Sequence, residues 1–177
     1  MDRREKGTAF IINNYNFKTL SPRTGSDVDV ENVKHVFKEI GYKVIAAQDL
    51  TAEGIRDEVT SLKDKILKSD TPVMSFVLVL MSHGDTEGVI YGTDEQPVKV
   101  KEITDVFSGR KCPKLNGKPK MFFFQACRGD QKMQSAYDVI DGAYAGGRSS
   151  KIPQPVEFEG NPDKADTFIA LSTCEDD

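Results

Sequence analysis

Apolar residues recur in two rhythms: short unbroken runs, and longer stretches spaced three or four apart as on one face of a helix. The first run, Thr-Ala-Phe-Ile-Ile-Asn at Thr8 to Asn13, predicts a strand. A turn-rich loop follows, from Asn14 through Ser21-Pro22-Arg23-Thr24-Gly25. Ser26-Asp27-Val28-Asp29 then reads as a variant capping box opening a helix, with Asp in place of the usual Glu or Gln. Val30, Val33, Val36, Phe37 and Ile40 recur at helical spacing, and Gly41 stands where a C-cap belongs. Lys43 to Ala47 predicts a second strand, and a second helix begins near Thr51 with the stripe Ile55, Val59, Leu62, Ile66 and Leu67. Beyond Pro72, the apolar run from Val73 to Met81 suits a central strand buried on both faces. Gly88 to Lys99, with turn residues Gly92, Asp94 and Pro97, predicts a small hairpin. A short helix at about Val100 to Phe107 ends near Gly109, and a basic Pro/Gly loop leads to a fourth strand at Met121 to Gln125. A fifth strand is predicted at Thr167 to Leu171. Strands alternating with helices imply an α/β fold on a mainly parallel sheet.

Between Asp130 and Lys164 this rhythm stops. Gly146-Gly147, Ser149-Ser150, Pro153 and Pro155 crowd a stretch too long for an ordinary connection, which points to a processed or functional linker. The 177 residues suit one domain, and 38% apolar with 29% charged residues is a globular balance. A net charge of −4 argues against a general nucleic-acid binder. The basic cluster Arg110, Lys111, Lys114, Lys118 and Lys120 is expected to be a solvated loop. The apolar runs are too short to span a bilayer. Three cysteines and two histidines are too few and too scattered for a zinc framework, and the odd cysteine count suggests a reducing, cytoplasmic setting. His35, Cys112 and Cys174 are assigned no role.

In parallel α/β sheets, functional groups collect where the strands end. Arg23 lies in the loop after the first strand, His83 directly follows the third, and Cys127 directly follows the fourth. A thiol, an imidazole and a guanidinium on one sheet edge suggest nucleophilic attack with proton transfer, on a substrate carrying negative charge.

The residues around these groups carry a resemblance. Gln125-Ala126-Cys127-Arg128-Gly129 is similar to the signature around the nucleophile of caspases, the Asp-directed cysteine proteases. Ser82-His83-Gly84 resembles the family's histidine motif and lies upstream at a comparable separation to the roughly 50 residues usual there. Arg23-Thr24-Gly25-Ser26-Asp27-Val28-Asp29 resembles its arginine loop, and Gly117-Lys118-Pro119-Lys120 and Ala165-Asp166 extend the likeness. The resemblance implies a three-layer α/β sandwich with helices on both faces. It divides the chain into a tail at 1–6, a large-subunit catalytic domain at 7–129, an intersubunit linker at 130–164 and the start of a small subunit at 165–177. It also implies that Asp177 comes before the second pocket arginine and the strand that pairs with substrate. The sheet is then truncated at its C-terminal edge, and the isolated chain is expected to be weakly active or inactive.

By the same resemblance, Cys127 is the nucleophile and His83 the general acid–base. The backbone N–H groups of Gly84 and Cys127 form the oxyanion hole. The backbone carbonyl of Pro22 orients the imidazole, and Arg23 and Gln125 bind the substrate Asp. Asp138-Val139-Ile140-Asp141-Gly142 resembles a caspase cleavage site, so Asp141 is the expected processing point of a zymogen that matures by autocatalytic cleavage; Asp130 and Asp163 are weaker candidates. Implied partners are protein substrates with Asp at P1, a small subunit, a dimer mate and possible inhibitor proteins, with no nucleic acid, membrane, metal or organic cofactor. A role in programmed cell death follows from the family. The alternatives are a non-catalytic regulator that pairs with a complete caspase, and a flavodoxin-like small-ligand binder. The second fits the strand order but lacks a Gly-rich phosphate loop after the first strand.

Overall fold

The computed structural model describes residues 6–85, 88–128 and 166–175, with residues 127, 128 and 173–175 described by backbone pairing alone. The strands are β1 (Thr8–Asn13), β2 (Lys43–Gln48), β3 (Phe76–Asp85), β4 (Val89–Tyr91), β5 (Pro97–Lys99), β6 (Lys120–Arg128) and β7 (Thr167–Glu175). The helices are α1 (Ser26–Glu39), α2 (Ala52–Lys68) and α3 (Val100–Val106), with a short 3-10 turn at Pro113–Leu115. Five strands lie parallel in the order β2-β1-β3-β6-β7. The β4–β5 hairpin is antiparallel and hangs from the end of β3 through Gly84 and Asp85. The expected α/β architecture on a mainly parallel sheet is what forms.

Side chains alternate across a strand, so a central strand that is apolar throughout must feed two cores. Phe76, Leu78 and Leu80 of β3 enter the larger core with Ile55, Val59 and Leu62 of α2, Ile103 of α3, and Phe122 and Phe124 of β6. Val77, Val79 and Met81 face the other way, against Val30, Val33 and Phe37 of α1. Phe107, just past α3, stacks on Phe76 with centroids 4.4 Å apart and meets Phe122 at 5.9 Å. Burying each such ring is worth about 1.5–3 kcal/mol.

Three local expectations are corrected. Gly25, at φ +86°, occupies the N-cap of α1, and no side chain caps the helix. Ser26 is inside the first turn, where its hydroxyl accepts from Asn13 Nδ2 at 3.1 Å, so the capping box does not form. Val36 and Ile40 are 53% and 44% exposed. At 3.6 residues per turn, Val36 lies about a quarter turn off the line through Val30, Val33 and Phe37. Finally, β3 begins at Phe76 because β6, its neighbour, begins at Lys120, leaving Val73 to Ser75 with no strand to pair. It continues instead to Asp85, beside the extension of β6 to Arg128. Gly41 does end α1 as expected, at φ +95° with its N–H on the Lys38 carbonyl.

Candidate active site

The parallel register of β3 and β6 sets Met81 beside Gln125, Ser82 beside Ala126, His83 beside Cys127 and Gly84 beside Arg128. His83 and Cys127 were expected to follow their strands; both lie inside them. Neighbouring strands run about 4.8 Å apart, so the ladder sets the spacing of these two residues.

The His83 ring is half-buried, with Nε2 2.8 Å from the Ser21 carbonyl oxygen. A carbonyl can only accept, so Nε2 carries the hydrogen and Nδ1 is left as the basic nitrogen. This corrects the expectation that Pro22 supplies the contact. The Pro22 carbonyl turns into its own tight turn and accepts from the Thr24 N–H at 2.9 Å, leaving its neighbour's carbonyl to face the imidazole. Phe17 packs on the same ring at a centroid distance of 4.6 Å, tilted by 58°.

Gly84 is needed for space. A methyl there would stand 2.6 Å from Ala126 Cβ and 2.6 Å from the Val89 carbonyl oxygen, where β4 and β6 close on either side of β3.

Arg23 is only 7% exposed. Its Nη1 donates to Asn13 Oδ1 at 3.0 Å and to the Asn14 carbonyl at 3.2 Å, and its Nη2 to Gln125 Oε1 at 3.4 Å. Among the described residues, Nε has no partner and none of the ion pairs includes Arg23. The buried guanidinium is held, among the described residues, by neutral oxygens alone, a costly arrangement that an incoming carboxylate would relieve. The expected pair, Arg23 and Gln125, is therefore in contact although 102 residues apart.

Two residues escaped the sequence reading. Asn13 bridges Arg23 to Ser26. Asn14, wholly buried, donates to Ser82 Oγ at 3.4 Å and to the Tyr91 carbonyl at 3.2 Å, and accepts from the Leu50 N–H at 2.9 Å. The available signal was a pair of amides at the carboxyl end of an otherwise apolar strand. Asp49 pins the next part of the loop by accepting from the N–H groups of Tyr15 (2.8 Å) and Asn16 (2.9 Å). Burial pushes its carboxyl up, but these hydrogen bonds outweigh burial and hold it below the usual Asp value.

Lys120 leaves the solvated basic cluster to which it was assigned. It is 3% exposed, and Nζ donates to the carbonyls of Leu115 and Lys118 at 3.2 and 3.3 Å. Burial also pushes the Cys112 thiol up, which keeps it neutral and unreactive. Asp130, Asp141 and Asp163, and all of 130–164, lie outside the described residues, as does Gly129. No helix among the described residues is long and apolar enough to cross a membrane.

Comparison with known proteins agrees with the geometry. A family model described as "Caspase domain" matches residues 6–177. Caspase-3 of Mus musculus is 41% identical over 162 residues, covering 89% of this chain and 56% of that protein. Caspase-3 of Felis catus is 38% identical over the same extent. Caspase-8 of Mus musculus is 30% identical over 183 residues, covering 98% of this chain and 37% of that protein. The chain thus spans about half the length of the caspase-3 relatives it matches.

Proposed function

Because the chain belongs to the caspase family, we propose that it is a cysteine endopeptidase that cleaves peptide bonds after Asp and acts in programmed cell death. The observation that carries this reading is the register that sets His83 beside Cys127 at the end of two parallel strands. Cys127 gives its thiol proton to His83 and attacks the carbonyl carbon of the substrate Asp, and a tetrahedral oxyanion forms. His83 protonates the leaving amine, and water then releases the acyl group from sulfur with the imidazole acting as base. With Nε2 donating to Ser21, the proton traffic runs through Nδ1. The N–H groups of Gly84 and Cys127 stabilise the oxyanion; one such donor is worth about 3–4 kcal/mol of barrier.

Specificity for Asp comes from Arg23 and Gln125. The substrate carboxylate supplies a negative partner, which the buried guanidinium does not have among the described residues, and a neutral side chain would leave that charge uncompensated. The Ser21 carbonyl takes over the orienting role first given to Pro22. Asp141 is the processing site between large- and small-subunit parts. The working enzyme pairs this region with a small subunit and a dimer mate in the cytoplasm.

The test is hydrolysis of a fluorogenic peptide ending in Asp, against its Asn counterpart, by the chain and by Cys127→Ala. Turnover that requires both the Asp and Cys127 is expected, with the small-subunit part added in trans if the chain alone is slow. Turnover that survives Cys127→Ala, or that ignores the Asp, overturns the reading. Complete inactivity in both formats would favour the non-catalytic regulator.

A further inference from the structure

Glu95 lies in the β4–β5 turn at φ +63°, and its carboxylate reaches across to the loop after β1. Oε1 accepts from the N–H groups of Thr19 and Leu20, the latter at 2.9 Å, and Oε2 accepts from the Thr19 hydroxyl at 2.7 Å. The turn is itself anchored. The Glu95 N–H donates to the Gly92 carbonyl and the Thr93 N–H to the Leu50 carbonyl, each at 2.9 Å. Neighbouring Asp94 accepts from the Ala52 N–H at 2.9 Å, in the first turn of α2. Glu95 is therefore a post fixed to α2, holding a segment that belongs to the site.

The held peptide immediately precedes Ser21, whose carbonyl receives His83 Nε2–H, and follows Phe17, which packs on the His83 ring. Among the described residues, the hydrogen bonds and ring contacts of residues 17–21 are those to Glu95 and those to His83. Without Glu95, the hydrogen bonds and ring contacts left to the segment among the described residues would be those to the imidazole it is meant to orient.

We propose that Glu95 is a positioning residue for His83: by clamping Thr19 and Leu20 it fixes the Ser21 carbonyl and holds the imidazole in its Nε2–H tautomer. This rests on the proteolytic reading for its consequence in catalysis, but its geometry stands apart from substrate. Three donors, with Lys18 nearby, hold the Glu95 carboxyl down to about 2, so the acceptor is charged wherever the protein is folded at ordinary pH.

The experiment uses the ¹⁵N-labelled chain as wild type, Glu95→Gln, Glu95→Ala and Thr19→Val. Amide exchange reports the clamp, and long-range proton–nitrogen spectra of the His83 ring at alkaline pH report the tautomer. In Glu95→Ala, the Thr19 and Leu20 amides should exchange faster by on the order of tenfold. The two His83 ring nitrogens, distinct in the wild type, should move toward averaged shifts. Glu95→Gln should fall between, and Thr19→Val should loosen the clamp less. If Glu95→Ala does not fold, the other two variants carry the test. Faster exchange with His83 unchanged would overturn the proposal, because Glu95 would then merely brace the surface; unchanged exchange would overturn it too. Where the wild type hydrolyses Asp peptides, kcat should fall in Glu95→Gln while KM holds. A wild type that hydrolyses nothing counts against the proteolytic reading alone, since neither spectroscopic measurement involves substrate.

Discussion

Arg23 shows how much a substrate-binding group can depend on side chains that touch no substrate. Its guanidinium is aimed by Asn13 Oδ1, the Asn14 carbonyl and Gln125 Oε1. Asn13→Ala removes the first of these and leaves Ser26 Oγ without its donor. Losing a buried partner of this kind costs about 1–3 kcal/mol, so the urea midpoint should fall. KM for Asp-ending peptides should rise several-fold while kcat changes little; a fall confined to kcat would contradict the assignment of Arg23 to binding. Glu95 gives a pH test with a definite sign. Its carboxyl goes from the usual 4.5 to about 2 on folding, so its contribution is complete above about 4.5 and is lost as pH falls toward 2. The urea midpoints of wild type and Glu95→Gln should therefore differ at neutral pH and converge across that window. Lys120 has the same sign at the alkaline end of the scale. Burial holds its amine below the usual 10.5, so the folded state releases a proton that the unfolded chain keeps, and stability relative to Lys120→Met should rise as pH climbs toward 10.5.

Among the elements, β3 does the most, because its last four residues serve two neighbouring strands. Ser82 Oγ donates to the Tyr91 carbonyl at 2.6 Å, His83 pairs with Cys127 on β6, and Gly84 and Asp85 begin the pairing with β4. Gly84→Ala places a methyl against both Ala126 and the Val89 carbonyl. Relieving that clash should cost about 1–3 kcal/mol and shift the His83–Cys127 register, so activity should fall further than stability does. Thermal unfolding alongside peptide hydrolysis separates the two. Helix α2 has a cap of its own. Thr51 accepts from the Gly54 N–H at 3.0 Å, and Thr51→Ala should cost about 1 kcal/mol of stability, read as a fall in the urea midpoint.

For the molecule as a whole, the sheet is a wall between two cores, and the larger one is organised by Phe76, Phe107 and Phe122. Phe107→Ala should destabilise by about 3–5 kcal/mol, read as a fall in the denaturant midpoint. The other face closes over Phe123 and Phe168, whose rings lie 5.9 Å apart, with Phe168 still 42% exposed. Truncation on that face should cost less, since less of the ring is withdrawn from water.

The strands, the helices and the α/β class were legible because each rests on local apolar spacing that needs no partner to be read. The placement of Arg23, His83 and Cys127 at one edge of the sheet was legible for a different reason: strand ends collect chemistry, and short motifs mark it. What remained hidden is whatever depends on a neighbour distant in the chain. The start of β3 at Phe76 was set by where β6 begins, and the cap of α1 changed because Asn13 took the Ser26 hydroxyl. Val36 reads as core from spacing alone, yet it lies off the face that meets the sheet. The move of the orienting carbonyl from Pro22 to Ser21 came from a turn in which Pro22 already has a partner. Asn13, Asn14 and Glu95 look like ordinary polar residues until the sheet and hairpin bring their acceptors and donors together. Periodicity encodes which face of an element is buried, but a hydrogen bond between residues tens of positions apart exists only once the chain has folded and both ends have arrived.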